Sequence, residues 1–256
     1  MPDQVRHDTF AMRADQLLVE RGLATTRSQA QRLIASGVRW CERGAWKAVA
    51  KNGDELPDDA PIELVDSAES RYVSRGGLKL EGALKAAGVE VRGLRCLDVG
   101  QSTGGFTDCL LAQGAAQVTG VDVGHGQLHD KLRRDERVIA IEKVNARELT
   151  RKQVGWDFDL VTGDLSFISL TLVLPALVPL LKAGGVLLML VKPQFELQPG
   201  QVGKRGIVTE PSLYGVVEKR IRDACGELGL QVKGWYDSAV TGGDGNREFF
   251  VHAIKT

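Results

Sequence analysis

The sequence predicts an α/β protein in which a small N-terminal α+β module precedes a mostly parallel sheet of seven strands with an antiparallel edge. From about residue 95 onward, short apolar runs that suit buried strands alternate with segments of helical periodicity, and the chain closes on two consecutive strand-like runs. The 256 residues are enough for one domain of roughly 180 residues and one smaller module.

The N-terminal module begins with apolar positions in helical register over residues 13–36. Gly22 interrupts this pattern, and Thr25 or Thr26 can cap a second helix that begins near Arg27. Short strand-like runs follow, and residues 67–70 have the small polar composition of a linker. We therefore expect three parts: a module over 11–66, a linker over 67–74 and a second domain over 75–256.

The second domain is predicted to start with a helix that ends near residue 87. Strands are expected over residues 96–99, 117–123, 138–142, 159–164, 186–191, 231–238 and 249–255. Helices are expected over residues 106–112, from 124 onward, over 170–181 and over 211–228. In such a sheet, ligands bind at the carboxyl ends of the parallel strands.

A glycine-rich turn, residues 100–105, joins the first of these strands to a helix. Glycines let the backbone approach a ligand closely, and the first N–H groups of a helix favour an acceptor. Asp122, at the tip of the next strand, is placed to accept ribose hydroxyls. The dinucleotide and P-loop patterns are both missing, and Asp98 before the turn would repel a pyrophosphate but suits an ammonium. S-adenosylmethionine fits these features; the alternative is a glycine turn without a ligand.

The N-terminal module is basic although the whole chain is balanced, with 33 Lys and Arg against 33 Asp and Glu. Trp40 and Trp46 lie among the basic residues, which suits a phosphate backbone with accessible bases. A solvated helix face is the alternative explanation. The candidate RNA contacts are Arg13, Arg27, Arg32, Arg39 and Arg43.

Other features of the sequence predict a soluble cytoplasmic monomer without a metal. The four cysteines lack C-x-x-C spacing, which is typical of a reducing compartment. The N-terminus does not have the apolar core of a secretory signal, and the longest apolar stretch, residues 170–181, is too short to span a bilayer. His125 and His129 are four residues apart but lack the H-E-x-x-H pattern of a zinc site.

The N-terminal module resembles the S4 RNA-binding module, which occurs in ribosomal protein S4 and in several RNA-modifying enzymes. This resemblance is carried by RADQLLVERGLATTRSQAQRLIASGVRW and NGDELPDDAPIEL. The whole chain resembles the hemolysin A (TlyA) family of ribosomal RNA 2′-O-methyltransferases, whose catalytic domain is similar to the FtsJ/RrmJ enzymes. The motifs that carry this second resemblance are SRGGLKL, LDVGQSTGGFTD, VDVGHGQL, DLSFISL, VKPQFE, VGKRGIV and GDGNREF.

The resemblance implies a Rossmann-like class I methyltransferase fold, S-adenosyl-L-methionine as the methyl donor, and cytidine in ribosomal RNA or ribosomal subunits as the substrate. It also implies a catalytic tetrad of Lys79, Asp164, Lys192 and Glu248. Lys192 would act as the base or orient the reacting hydroxyl, and the other three would form its electrostatic frame. The implied cofactor contacts are Asp98, Gly100, Ser102, Thr103, Gly104, Gly105, Phe106, Asp122, Val123, Asn145, Ala146 and Asp164.

Single members of this set also suit structural roles, and other functions stay open. Asp164 can cap the next helix, Lys192 can be a charge at a strand end, and Glu248 can be a turn residue. Two other functions are an RNA-binding factor with an inactive methylase domain and a membrane-lytic hemolysin. Base methylation is disfavoured because residues 164–167 lack the N-P-P-[YF] motif.

Overall fold

The computed structural model describes residues 10–42, 44–64, 71–155, 157–203, 206–242 and 245–256, without the side chains of residues 32, 35 and 36. The chain forms two compact units, Met1–Ser74 and Arg75–Thr256. Part of the predicted linker, residues 67–70, lies outside the described residues. In the remainder, the carbonyl of Tyr72 accepts a hydrogen bond from Gln29 of the same unit (3.3 Å).

The N-terminal unit combines two helices with short antiparallel strands. Its elements are β1 (Ala11–Arg13), α1 (Ala14–Glu20), α2 (Arg27–Gly37), β2 (Val38–Glu42), β3 (Ala45–Ala48), β4 (Glu55–Pro57) and β5 (Ile62–Leu64). β1 pairs with β4, and β2 lies between β3 and β5. The Thr26 side chain caps α2 by accepting from the N–H of Gln29, as its position in the sequence predicts. Leu17, Leu33 and Leu56 are in its buried core.

The C-terminal unit is built on a seven-stranded sheet with the order β11-β12-β10-β9-β6-β7-β8. Its strands are β6 (Arg95–Val99), β7 (Gln117–Asp122), β8 (Val138–Glu142), β9 (Phe158–Gly163), β10 (Leu181–Val191), β11 (Leu230–Asp237) and β12 (Phe249–Lys255). Its helices are α3 (Gly76–Ala87), α4 (Gly105–Ala112), α5 (Asp130–Arg133), α6 (Arg151–Val154), α7 (Leu174–Leu177), α8 (Pro193–Glu196) and α9 (Ser212–Glu227).

The strand directions confirm the predicted fold class and refine its topology. β6 to β10 pair in parallel, whereas β12 is antiparallel to both β10 and β11. The reversed strand therefore lies one position inside the edge of the sheet, and the edge strand β11 runs in the same direction as β10.

Two helix predictions were wrong. Residues 124–128 are not helical, and α5 begins only at Asp130. The predicted helix over residues 170–181 is instead a 3₁₀ turn (Leu170–Leu172), α7 and a second 3₁₀ turn (Val178–Leu180) that leads into β10. Pro175 and Pro179 explain the break, because proline has no N–H to donate and restricts the preceding residue.

Backbone hydrogen bonds fix the carboxyl ends of the central strands against one another. The N–H of Gly100, which leaves β6, donates to the carbonyl of Val121 in β7 (2.9 Å). The N–H of Asp164, which leaves β9, donates to the carbonyl of Val99 in β6 (3.0 Å). The residues that follow these strands therefore meet at one edge of the sheet.

Gly104 is a position where the fold requires glycine. Its φ is +97°, and an added Cβ would lie 2.3 Å from Leu132 Cδ1 and 2.7 Å from Leu128 Cδ1. We expect Gly104→Ala to lower the free energy of unfolding by about 2 to 4 kcal/mol, since it combines a left-handed backbone with overpacking. Chemical denaturation of the purified protein measures this change.

The control is Gly226→Ala, within α9, where φ is not positive and no atom lies within 4 Å of the added Cβ. This change should stabilise the protein by about 0.4 to 1 kcal/mol, because alanine restricts the unfolded chain. Equal effects of the two substitutions would contradict the packing argument for Gly104.

Candidate active site

A cavity of about 500 Å³ opens at the carboxyl ends of β6, β7 and β9, within the range of about 300–1,000 Å³ typical of small-molecule sites. Its walls come from the turn after β6, the end of β7, the segment after β8 and the segment after β9. The lining residues are Gly100, Ser102, Val121, Asp122, Val123, Gln127, Val144, Asn145, Ala146, Asp164, Leu165, Ser166, Phe167 and Ile168.

The turn after β6 is shaped by close backbone contacts. A Cβ on Gly100 would lie 2.6 Å from the carbonyl oxygen of Asp164, and φ at Gly100 is +83°. The N–H of Ser102 donates to Asp122 Oδ2 (2.8 Å), and the N–H of Gly124 donates to Asp122 Oδ1 (2.7 Å). Both carboxylate oxygens are thereby held in place, and each keeps a lone pair for a ligand hydroxyl.

Behind this turn lies a buried polar cluster that the sequence did not reveal. Asp98 is 1% exposed, its Oδ2 accepts from Thr107 Oγ1 (2.6 Å), and Gln101 Nε2 donates to the same Thr107 oxygen (2.9 Å). The Gln101 carboxamide fills the space where a side chain at Gly120 would lie. Gln101 therefore packs away from the cavity.

The Asp98 carboxyl group has an unusual environment. Its Oδ1 has no hydrogen-bond partner among the described residues. Burial raises the pKa of Asp98 to about 7, the charges of Asp164 and Asp122 act in the same direction, and the hydrogen bond from Thr107 opposes them.

Lys192 and Asp164 form an ion pair at the ends of adjacent strands. The distance between Lys192 Nζ and Asp164 Oδ1 is 2.5 Å, and the two side chains are 11% and 25% exposed. Lys192 Nζ also donates to Ser166 Oγ (2.9 Å). Because Asp164 lines the cavity, this pair places a held ammonium group beside it.

Lys79 and Glu248 form a second ion pair, with 2.5 Å between Nζ and Oε2 and with both side chains buried. Val191 pairs with Phe249 across β10 and β12, so Lys192 and Glu248 each lie one residue beyond this last pair. The register thus brings Glu248 to the level of Lys192. The four residues of the implied tetrad gather at one edge of the sheet, and their catalytic role stays a prediction.

The predicted cofactor contacts fall into two groups. Those that line the cavity are Gly100, Ser102, Asp122, Val123, Asn145, Ala146 and Asp164. Those that do not are Asp98, Thr103, Gly104, Gly105 and Phe106. Of the second group, Phe106 packs on Phe250 with 6.1 Å between ring centroids, and Asp98 belongs to the buried cluster behind the turn.

Phe167 is a site feature that the sequence analysis missed. Its side chain is 91% exposed at the cavity, its φ is +63°, and its ring centroid lies 5.2 Å from that of Phe195. A positive φ is a strained conformation for a bulky residue. A signal was present in the sequence, because each phenylalanine follows a tetrad residue, Asp164 or Lys192, by three positions.

In the N-terminal unit, two of the predicted RNA contacts, Arg13 and Arg27, donate hydrogen bonds to one buried acid, Asp15. Asp15 is fully buried and accepts from Arg13 Nε and Nη2 (both 3.1 Å), Arg27 Nε (2.9 Å) and Gln31 Nε2 (3.2 Å). The hydrogen bonds from Arg13 hold the pKa of Asp15 well below its usual range. Both arginine side chains remain about half exposed.

The other predicted RNA contacts differ in their placement. Arg39 lies 5.7 Å from the Trp46 ring centroid and 3.9 Å from Glu63. The side chain of Arg32 and the whole of Arg43 lie outside the described residues.

Within the described residues, no helix is long and apolar enough to cross a membrane. In the same part of the chain, no group of three or more His, Cys, Asp or Glu side chains is arranged to hold a metal ion.

Comparison with known proteins gives matches over most of the chain. Residues 72–255 match the model of the FtsJ-like methyltransferases. The 16S/23S rRNA (cytidine-2′-O)-methyltransferase TlyA of Mycobacterium tuberculosis is 45% identical over 239 residues, which are 93% of this chain and 88% of that protein.

Solved structures give matching results. A Streptococcus thermophilus structure, provisionally assigned as a hemolysin, superposes with a TM-score of 0.74 at 41% identity, covering 96% of this chain and 89% of that one. An S-adenosylmethionine-dependent methyltransferase from Mesorhizobium loti has a TM-score of 0.51 at 16% identity, covering 69% of this chain and 98% of that one. This last likeness concerns the fold alone.

Asp98 should give the protein a pH-dependent stability. Because its pKa is raised in the folded state, its contribution is fully present below the unfolded value of about 3.9 and is lost as the pH rises through about 7. Asp98→Asn removes the ionisable group and therefore removes this loss of stability at high pH. The unfolding temperature of the variant minus that of the wild type should therefore increase from pH 4 to pH 8, as thermal unfolding at several pH values would measure.

The control is Asp135, whose pKa is shifted in the opposite direction. The Arg137 side chain lowers the pKa of Asp135 to about 2, so the contribution of Asp135 is present above about pH 3.9 and is lost as the pH falls through about 2. Asp135→Asn should change the pH dependence only in that acidic range. A difference between Asp98→Asn and wild type that is constant from pH 4 to pH 8 would contradict the assignment.

Proposed function

Because the chain belongs to the FtsJ-like methyltransferase family, we propose that it transfers the methyl group of S-adenosyl-L-methionine to the 2′-hydroxyl of a cytidine in ribosomal RNA. The observation that carries the proposal is the Lys192–Asp164 ion pair at a cavity that is also lined by Asp122, a carboxylate that suits ribose hydroxyls. The name of the mycobacterial relative supports cytidine in ribosomal RNA as the substrate.

The cavity residues fit S-adenosyl-L-methionine. Asp122 is held by two backbone N–H groups and would accept the ribose hydroxyls. Val123, Val144 and Ala146 line the same cavity and suit the faces of an adenine. Gly100 lines the cavity and has no side chain, so its backbone is accessible to a ligand. When bound, the cofactor supplies an electrophilic methyl carbon on its sulfonium.

Lys192 is proposed to orient the reacting hydroxyl. Its ammonium group has three N–H donors. One is directed to Ser166, and the ammonium group forms an ion pair with Asp164, which leaves at least one donor for the 2′-oxygen of the ribose. A hydroxyl that is held in line with the methyl carbon needs little further ordering in the transition state, which is a large part of the acceleration.

Asp164 is proposed to accept the proton. As the bond between the 2′-oxygen and the methyl carbon forms, the hydroxyl proton becomes acidic and passes to a carboxylate oxygen of Asp164. The Lys79–Glu248 pair brings a further cation and anion to the same edge of the sheet. Because each cation has its own anion, the two lysines can lie near each other without strong repulsion.

Two further features suit the RNA substrate. The exposed ring of Phe167, beside that of Phe195, offers a stacking face for a base that is turned out of its helix. In the N-terminal unit, the Asp15 network leaves at least three N–H donors on each of Arg13 and Arg27 for phosphate oxygens. We assign phosphate binding to this S4-like unit and chemistry to the other.

The rival functions make different predictions for the purified protein. An RNA-binding factor with an inactive methylase domain would bind ribosomal RNA without transferring tritium from labelled S-adenosyl-L-methionine. A membrane-lytic hemolysin would release dye from liposomes. We expect labelled 2′-O-methylcytidine in ribosomal RNA and no dye release; the reverse pattern would refute the proposal.

Substitutions at the Lys192–Asp164 pair test the assigned roles. Lys192→Ala should lower the rate of methyl transfer about 1,000-fold, and Asp164→Asn should lower it to a similar degree. Lys192→Arg keeps a charged donor that cannot act as a base, so it should be at least about tenfold more active than Lys192→Ala. Single-turnover transfer of tritiated methyl groups to ribosomal RNA measures all three.

The matched control is Lys182→Ala, because Lys182 pairs with an acid, Asp159, at the opposite end of the same two strands. Its transfer rate should be that of the wild type. If Lys192→Arg is as inactive as Lys192→Ala and the wild-type rate rises tenfold per pH unit, Lys192 is itself the base and the assignment to Asp164 is wrong.

The N-terminal arginines should affect binding rather than chemistry. Arg13→Ala with Arg27→Ala removes two phosphate contacts, so the slope of log K for RNA binding against log salt concentration should become shallower by about 1 to 2. Filter binding of ribosomal RNA at several salt concentrations measures this slope. Arg222→Ala, in α9 and paired with Glu218, is the control; an unchanged slope in the double variant would exclude the Asp15 network from the RNA interface.

A further inference from the structure

Glu196 is a buried acid at the end of the VKPQFE motif, and the proposed mechanism does not assign a role to it. It is the last residue of α8, four positions after Lys192, and is 4% exposed. Its Oε2 accepts from Ser169 Oγ (2.6 Å), and its Oε1 accepts from the N–H of Leu170 (2.6 Å). Burial raises the pKa of its carboxyl group. Leaving such a group buried without both donors would be costly.

The hydrogen bond from Ser169 belongs to a closed circuit of hydrogen bonds. Ser169 Oγ is 2.8 Å from Thr171 Oγ1, which accepts from Arg220 Nη2 (3.4 Å). Arg220 Nη1 in turn donates to the main-chain carbonyl of Glu196 (2.6 Å). The circuit joins the segment after β10, the segment after β9 and helix α9, so Glu196 is fixed at both its carboxylate and its backbone.

The hydrogen bonds to Glu196 anchor one end of a short loop at the active site. At one end, the N–H of Asp164 donates to the carbonyl of Val99; at the other end, Ser169 and Leu170 donate to Glu196. Only the four residues 165–168 lie between these anchors, and all four line the cavity. A loop this short between two fixed ends has few alternative conformations.

This loop, residues 165–168, carries the Ser166 hydroxyl that accepts from Lys192 and the Phe167 ring. Ser166 accepts from Lys192, and the Phe167 ring packs on Phe195, one residue before Glu196. Phe167 has φ +63°, and a strained residue persists only where its surroundings over-determine it. The anchor at Glu196 is therefore in the right place to maintain this conformation.

We propose that Glu196 is a positioning residue that holds loop 165–168 over the cavity and so aligns Ser166 and Phe167 with Lys192. The expected effect on kcat and KM rests on the proposed function. The expected effects on the loop and on cofactor binding do not depend on the RNA substrate. The role depends on hydrogen-bond geometry rather than on charge. A glutamine can accept from Leu170 through its oxygen and donate to Ser169 through its nitrogen.

The experiment compares Glu196→Ala, Glu196→Gln and the control Lys219→Ala in the full chain. Lys219 lies next to Arg220 on α9 and forms an exposed ion pair with Asp223. Three quantities are measured: hydrogen exchange of the amides of residues 165–168, the dissociation constant of S-adenosylhomocysteine by calorimetry, and kcat and KM for ribosomal RNA.

Glu196→Ala should accelerate exchange in the loop, weaken S-adenosylhomocysteine binding about tenfold and lower kcat about 100-fold, the scale expected for a misplaced reacting group. Glu196→Gln should restore all three to within about threefold of the wild type. Lys219→Ala should match the wild type. If Glu196→Ala does not fold, Ser169→Ala removes one of the two anchoring bonds and should give a smaller loss in the same three quantities.

A folded Glu196→Ala protein with wild-type exchange, affinity and kinetics would overturn the inference. So would a variant with a lower unfolding temperature but unchanged kcat and affinity per folded molecule, because that result assigns Glu196 to stability alone. Failure of the proposed function is distinguishable. In that case the wild type does not methylate ribosomal RNA, while Glu196→Ala still frees the loop and weakens S-adenosylhomocysteine binding.

Discussion

The close approach between Gly100 and the carbonyl of Asp164 is the constraint on which the active-site edge depends. The chain leaves β6 with no room for a side chain, because any Cβ at Gly100 would lie 2.6 Å from that carbonyl. The contact is reinforced by the hydrogen bonds from Gly100 to Val121 and from Asp164 to Val99. One crossing of two backbone segments therefore sets the positions of Asp122, the carboxylate proposed to bind the ribose, and of Asp164, the acid that pairs with Lys192.

The charges at this edge are better explained by the proposed function than by a contribution to stability. Buried ion pairs contribute little net stability, since desolvation offsets their attraction, yet removing one partner costs about 3 to 5 kcal/mol. The Lys79–Glu248 pair fits this description, whereas the Lys192–Asp164 pair is only partly buried; both pairs join segments that are distant in sequence. Asp98 adds a carboxyl group whose pKa is raised to about 7 by burial. Two ion pairs beside a carboxyl group with a raised pKa are an arrangement that is typical of catalytic sites.

The sequence predicted those features that depend on local periodicity and missed those that depend on contacts between distant residues. Strand β8, for example, has the predicted limits, because its apolar run is short and clearly bounded. The helix predicted over residues 170–181 was wrong because the apolar content of this segment favours a helix, whereas Pro175 and Pro179 divide it into short turns. Lys79 and Glu248 are 169 positions apart, and no spacing rule connects them; only the family resemblance grouped them. The Gln101 cluster behind the turn could not be foreseen, since it depends on Gly120 in the next strand leaving space for a carboxamide.

The three carboxylates on which the proposals depend share one physical device. Asp15, Asp122 and Glu196 are each carboxylates whose oxygens accept hydrogen bonds from at least two groups that the fold holds in place. Each presents something different: Asp15 presents two half-exposed arginines, Asp122 presents its own remaining lone pairs, and Glu196 presents a loop. A carboxylate suits this task because it has about four acceptor sites and binds charged and neutral donors alike. Rigidity at the points that are proposed to meet the RNA, the methyl donor and the reacting hydroxyl can thus be obtained with few residues, without enlarging the hydrophobic core of either unit.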